Sequence, residues 1–156
     1  MSNKGYSELQ VDLKSGIKLS KVINKFEEQL DTELNVIPIN KLHATLMYDV
    51  RNPDIFPSKS NNVYRAKVIG VDRLGDDSSK WNAAVILLEC KEVKDRFKQL
   101  LNEGFRHSYD DLLIHVSLSY GETTGLIFPL LEKAFAAGEL PEYITLCNET
   151  WDTCDD

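Results

Sequence analysis

Two short segments of this chain carry the residue types that proton-transfer chemistry needs, at the same spacing. His43, Thr45 and Tyr48 stand in Lys-Leu-His-Ala-Thr-Leu-Met-Tyr over 41–48. His115, Ser117 and Tyr120 stand in Leu-Ile-His-Val-Ser-Leu-Ser-Tyr over 113–120. Both read His-x-(Thr/Ser)-Leu-x-Tyr, and nothing else in the sequence repeats in this way. An unperturbed imidazole titrates at about 6.5, so one histidine can be neutral while another is protonated at the same pH. Such a pair can take a proton from an attacking hydroxyl and give one to a leaving oxygen. Hydroxyls beside them can donate hydrogen bonds to the non-bridging oxygens of a phosphate, where charge grows as the bond breaks. A lone histidine on a strand is more often structural than catalytic. Two of them in matched frames are different, because a core position does not need a hydroxyl two residues away twice over.

The same residues make a poor metal site. Two imidazoles and two hydroxyls lack the further strong ligands that zinc takes. No His/Asp/Glu cluster at metal-ligand spacing appears, so neither metal nor cofactor is expected. Asp49 follows the first motif and reads as a solvated strand end. The third histidine, His107, sits in the polar stretch Arg106-His107-Ser108-Tyr109 and reads as surface, on a loop that could reach the cleft.

Strands are needed to present these side chains. Alternation along a strand would put His43, Thr45 and Met47 on one face, with Ala44, Leu46 and Tyr48 on the other. It would likewise put His115, Ser117 and Ser119 against Val116, Leu118 and Tyr120, with both tyrosines turned to the core. The His strands are predicted over 42–50 and 112–120, and further strands over 6–13, 63–72, 81–90 and 143–151. Leu19, Val22, Ile23, Phe26 and Leu30 recur at helical spacing, which predicts a helix over 16–30. Val93, Phe97, Leu100 and Leu101 mark a second helix, ended by Gly104. A third runs over 126–137, capped by Thr123 or Thr124, with Pro129 in its first turn and Gly138 at its end. Residues 31–40, 52–62 and 74–80 read as loops and turns. The order strand, helix, strand, strand, strand, helix, strand, helix, strand implies an α+β class with a mixed or antiparallel sheet and helices outside. The 156 residues suit one domain made of two similar halves, each with one His strand.

Composition excludes several classes. Net charge is −7, which argues against a broad grip on long RNA or DNA but not against a small nucleotide held in a local pocket. The longest apolar run, over 83–88, is far too short for a bilayer span, and the first residues lack the apolar core of a signal peptide. Cys90, Cys147 and Cys154 are an odd number without a Cys-x-x-Cys spacing and read as free thiols in a reducing cytosol.

His43-Ala44-Thr45 and His115-Val116-Ser117, one in each half of a small α+β chain, resemble the two-histidine (2H) phosphoesterase superfamily. That group includes LigT-like 2′,5′ RNA ligases and cyclic phosphodiesterases. The size and the run from Lys41 to Asp49 most resemble phage anti-CBASS nucleases, which degrade cyclic oligonucleotide second messengers. The resemblance implies two similar lobes flanking a cleft, with His43, Thr45, His115 and Ser117 on its floor. It implies metal-independent cleavage of a 3′-5′ phosphodiester in a cyclic di- or trinucleotide, in the cytoplasm of the host cell if a phage encodes the chain. It leaves open which histidine is the base and which the acid, and it says nothing of oligomeric state.

Nucleobases stack on aromatic rings. Tyr6, Trp81, Tyr109 and Trp151, each near the end of a predicted element, are the candidates. Glu149 would share a strand face with Trp151 and could accept hydrogen bonds from a base amino group. Lys41 and Arg106 are possible phosphate neighbours, though solvated charge is the default for both. Two other readings compete: a LigT-like enzyme acting on RNA ends or 2′,3′-cyclic phosphates, and a protein that sequesters a cyclic nucleotide without cutting it.

Overall fold

The computed structural model describes residues 5–34, 36–75, 82–109, 112–121 and 123–153. In chain order the elements are β1 (Tyr6–Val11), α1 (Leu13–Leu30), a 3₁₀ turn (Ile39–Lys41), β2 (His43–Tyr48), β3 (Tyr64–Leu74) and β4 (Ala83–Glu89). Then follow α2 (Lys91–Asn102), β5 (His115–Tyr120), α3 (Thr124–Ala136) and β6 (Tyr143–Asp152). The order of strands and helices is the expected one.

Local chemistry sets the boundaries. Asp12 caps α1, its carboxylate accepting from the Ser15 N–H at 2.8 Å. The helix therefore starts at Leu13, earlier than its apolar repeat suggested, and Leu13 is an exposed first-turn residue rather than the end of a strand. Leu19, Val22, Ile23 and Phe26 form its buried face. Gly16 lets the helix approach the 3₁₀ turn, because a Cβ there would meet Ile39 Cγ2 at 2.7 Å. Val93, Phe97 and Leu100 are the buried face of α2, while Leu101 points outward. Thr123 is the N-cap of α3, so Pro129 lies in the second turn and not the first. Lacking an N–H, it cannot bond the carbonyl of exposed Gly125. Gly138, at φ +72°, ends α3 as expected.

All six strands pair antiparallel and close into a ring in the order β1-β2-β5-β4-β3-β6. Each half of the ring holds three strands, β6-β1-β2 and β3-β4-β5. The halves meet where β2 pairs β5 and where β3 pairs β6. Within each half a strand, a helix and a His strand follow in sequence: β1-α1-β2 and β4-α2-β5. The core lies between the apolar strand faces and the helices. Leu9, Ala44, Leu46, Val116 and Leu118 join Leu19, Ile23, Phe97 and Leu131 in one cluster.

The simple alternation expected for the His strands is broken once in each. Ser7 pairs with Met47 but Glu8 with Thr45, so Leu46 is an extra residue opposite β1. Ala84 pairs with Ser119 but Val85 with Ser117, so Leu118 is extra opposite β4. Each is a β-bulge, and each reverses the face of everything that follows it. Met47 and Ser119, expected beside the histidines, are fully buried. Tyr48 and Tyr120, expected in the core, are half-buried and share the face of Thr45 and Ser117. Ser119 finds partners inside: its hydroxyl lies 3.2 Å from that of Thr124, which donates to the Asn82 carbonyl at 3.0 Å.

Candidate functional site

The ring closes between β2 and β5 at Ala44, which pairs with Val116. Both are buried. One step to either side, on the opposite face, stand His43 and Thr45 of β2 and His115 and Ser117 of β5. In antiparallel register this sets His43 across from Ser117 and Thr45 across from His115. Directly opposed Cβ atoms lie roughly 4.5–5.5 Å apart and diagonal ones about 7–8 Å, so the two imidazoles stand at diagonal corners of a small rectangle. All four side chains are half-exposed, and all four belong to one face of the sheet.

The two rings are held alike. His43 Nδ1 donates to the Lys41 carbonyl at 2.9 Å, and His115 Nδ1 to the Leu113 carbonyl at 2.9 Å. A carbonyl can only accept, so each Nδ1 carries the hydrogen and each Nε2 is left to act. The motif gave no sign of this tether, because it uses the backbone of the residue two places upstream. One feature separates the rings: the Glu8 carboxylate lies 3.6 Å from His43 Nδ1. Sequence reading passed over Glu8, although β1 places Tyr6, Glu8 and Gln10 on one face, level with Tyr48, Thr45 and His43.

Tyr6 reaches the site. Its hydroxyl lies 3.5 Å from Thr45 Oγ1. Burial, against the opposing pull of the Thr45 hydrogen bond and with Glu8 and Tyr120 nearby, pushes its phenol up to about 12. It stays a neutral hydrogen-bond donor across the physiological range. Beside it opens a cavity of about 380 Å³, lined by Tyr6, Glu8, Tyr48, by Thr150, Trp151 and Asp152 of β6, and by Thr153 just beyond it. Two of the expected aromatic residues, Tyr6 and Trp151, therefore wall the same space. Tyr109, 66% exposed, does not line it but stacks on Tyr48, with centroids 5.8 Å apart and planes at 25°. Trp81 lies outside the described residues.

The loop after α2 is sewn to the end of β2. His107 Nδ1 accepts from the Tyr48 N–H at 3.1 Å, and the Tyr48 carbonyl accepts from the Ser108 N–H at 2.7 Å. His107 is thus a half-buried link and not the surface residue expected. Asp49, read as a solvated strand end, is 1% exposed. It accepts from the Arg51 guanidinium at 2.9 and 2.7 Å and from the Arg106 N–H at 2.8 Å. Burial alone would raise this carboxyl, but those bonds outweigh burial and hold it below the usual range. Arg106 serves here through its backbone, and Lys41 through its carbonyl to His43.

Glu149 is placed otherwise than expected. It does not line the cavity, and its side chain is 3% exposed. Its carboxylate accepts from Arg96 and from the Trp151 indole N–H at 2.9 Å, and so stands behind the aromatic wall and not at its surface. Cys90 and Cys147 are free thiols, as expected, while Cys154 lies outside the described residues. Among the described residues no helix is long and apolar enough to cross a membrane.

The chain is 29% identical over 86 residues to Anti-CBASS protein Acb1 of Escherichia phage RB16, which is 55% of this chain and 48% of that one. That match thus spans about half of the relative's length. The chain is 27% identical over 139 residues to Anti-CBASS protein Acb1 of Vibrio phage KVP40, covering 87% of each. Its fold resembles that of Kluyveromyces marxianus Usb1, with a TM-score of 0.55 at 10% identity over 97% of this chain and 94% of that one. At that identity the likeness is one of fold alone. The sequence model of the family described as Anti-CBASS protein Acb1 matches residues 8–153, from β1 to β6 and through both motifs, so the chain belongs to the Anti-CBASS protein Acb1 family.

Proposed function

We propose that the chain is a phosphodiesterase that opens cyclic di- or trinucleotide second messengers at a 3′-5′ bond and so counters CBASS signalling in an infected cell. One observation carries this reading. His43, Thr45, His115 and Ser117 stand on one sheet face around the Ala44–Val116 pair, both rings tethered through Nδ1.

The chemistry follows from those positions. The ribose 2′-hydroxyl next to the scissile phosphate is the nucleophile, and the Nε2 of one neutral imidazole accepts its proton. The Nε2–H of the other, protonated imidazole gives a proton to the departing 5′-oxygen. The products are a 2′,3′-cyclic phosphate and a free 5′-hydroxyl. Thr45 and Ser117, each across from a histidine, donate to the non-bridging oxygens as their charge rises. The neutral phenol of Tyr6, beside Thr45, is a further donor on that side. The aromatic cavity next to Thr45 takes a base by stacking. A net charge of −7 disfavours long polyanions and leaves a compact substrate the better fit.

The test is incubation with 3′,3′-cyclic GMP-AMP, cyclic tri-adenylate and a short RNA, each with EDTA. Linear products from the cyclic compounds alone are expected. Cleavage or joining of the RNA would move the substrate to RNA ends, and tight binding with intact ligand would make the protein a sink instead of an enzyme.

A further inference from the structure

The guanidinium of Arg96 lies on α2, is 4% exposed, and has no part in the proposed chemistry. Its Nε donates to Glu149 Oε1 at 2.8 Å and its Nη2 to Oε2 at 2.7 Å, a two-pronged fork. The same Oε2 accepts the Trp151 indole N–H at 2.9 Å. On the far side Nη1 donates to the Ser58 hydroxyl at 2.7 Å. Ser58 is pinned in turn by Glu103, to which its N–H and hydroxyl donate at 2.8 and 2.7 Å. A buried ion pair of this kind is a weak source of net stability, since desolvation offsets most of the attraction, and apolar residues of similar size fill such a space as well. What they cannot supply is direction: a carboxylate locked in one orientation, with an oxygen aimed at the indole.

We infer that Arg96 is a positioning residue, which through Glu149 fixes the indole of Trp151 on the cavity wall and so sets how tightly the substrate's base is held. The effect on substrate rests on the function proposed above; the coupling of Arg96 to the indole does not.

The experiment compares wild type with Arg96→Lys and with the paired Arg96→Met/Glu149→Met, which removes the buried carboxylate together with its guanidinium and leaves only the partly exposed Glu103 without its cation. Circular dichroism checks folding. Steady-state kinetics on the cleaved cyclic dinucleotide separate KM from kcat. Proton–nitrogen correlation spectra follow the Trp151 indole N–H, assigned with Trp151→Phe. The paired variant should shift that resonance, speed its exchange and raise KM about tenfold, the scale of one base–aromatic stack, with kcat little changed. Arg96→Lys, a point charge in place of a fork, should fall between the two. In a Trp151→Ala background neither change should raise KM further. A folded variant with wild-type resonance and KM would overturn the assignment. So would a loss confined to kcat, or the same KM rise without the indole. If the paired variant fails to fold, Arg96→Lys carries the test. If wild type cleaves none of the cyclic compounds, only the proposed function falls, and the indole resonance still decides the role of Arg96.

Discussion

With Nδ1 of each imidazole donating to the carbonyl two residues before it, the proposed mechanism gives the proton transfers to Nε2 of His43 and of His115. His43→Ala and His115→Ala should each lower turnover about 10²–10⁴-fold, as loss of a general acid or base does, with unchanged melting temperature. Near-full activity in either would remove that ring from the mechanism. Thr45→Val and Ser117→Ala remove donors to the developing charge and should cost about 10²–10³-fold in kcat. Trp151→Ala should weaken binding more than it slows the bound step; a change confined to the rate would contradict stacking. Tyr6 can be followed by itself. Its folded value near 12 lies above its unfolded one, so its contribution to stability is complete below about pH 10 and is lost as pH rises from there through 12. In an alkaline absorbance titration, the tyrosine missing from Tyr6→Phe should be one that ionises late. A missing step at ordinary tyrosine pH would show that its ring is not held as the structure places it.

Between residues and fold stand the elements, and there one carboxylate helps to anchor the short loop that follows α2. Asp49 holds the Arg51 guanidinium and the Arg106 N–H, and through them the stretch that carries His107 and Tyr109. Because its folded value is depressed, its stabilisation is complete above the ordinary value of about 3.9 and fades as pH falls through the folded one. Asp49→Asn should therefore lower stability at neutral pH by about 1–3 kcal/mol and shallow the acid limb in thermal melts from pH 7 to 2. An unchanged acid limb would assign that limb to other carboxylates. The element order was legible because periods of two and of 3.6 survive in the apolar residues of this chain. The faces beyond Leu46 and Leu118 were not, since a bulge adds a residue without altering composition, and only the partner strand reveals it. Asp49 looked solvated, and Glu149 looked available to a base, for a related reason. Arg106, which bonds Asp49 alongside the near neighbour Arg51, and Arg96, which bonds Glu149, are 57 and 53 residues away, a distance that no local pattern spans. The His-x-(Thr/Ser) pairs could be found because the chain states that pattern twice, whereas Glu8 and Arg96 occur once and carry no frame.

At the scale of the molecule, acidity and ring closure act together. A net charge of −7 would repel a long polyanion, and the proposed function puts a compact ligand in the cavity instead. Closure rests on β6, which pairs on one side with β1 and on the other with β3. Removing residues 143–153 should leave two unpaired strand edges and give insoluble protein. A soluble, monomeric truncation would show that the remaining strands close by themselves. The same placement bears on how the chain is made. As it leaves the ribosome, β1 and β3 each keep one edge of raw backbone amides and carbonyls until the closing stave emerges. Synthesis is thus the period in which this protein is most open to wrong neighbours, and a chaperone's help would count most in the seconds before residues 143–152 come free.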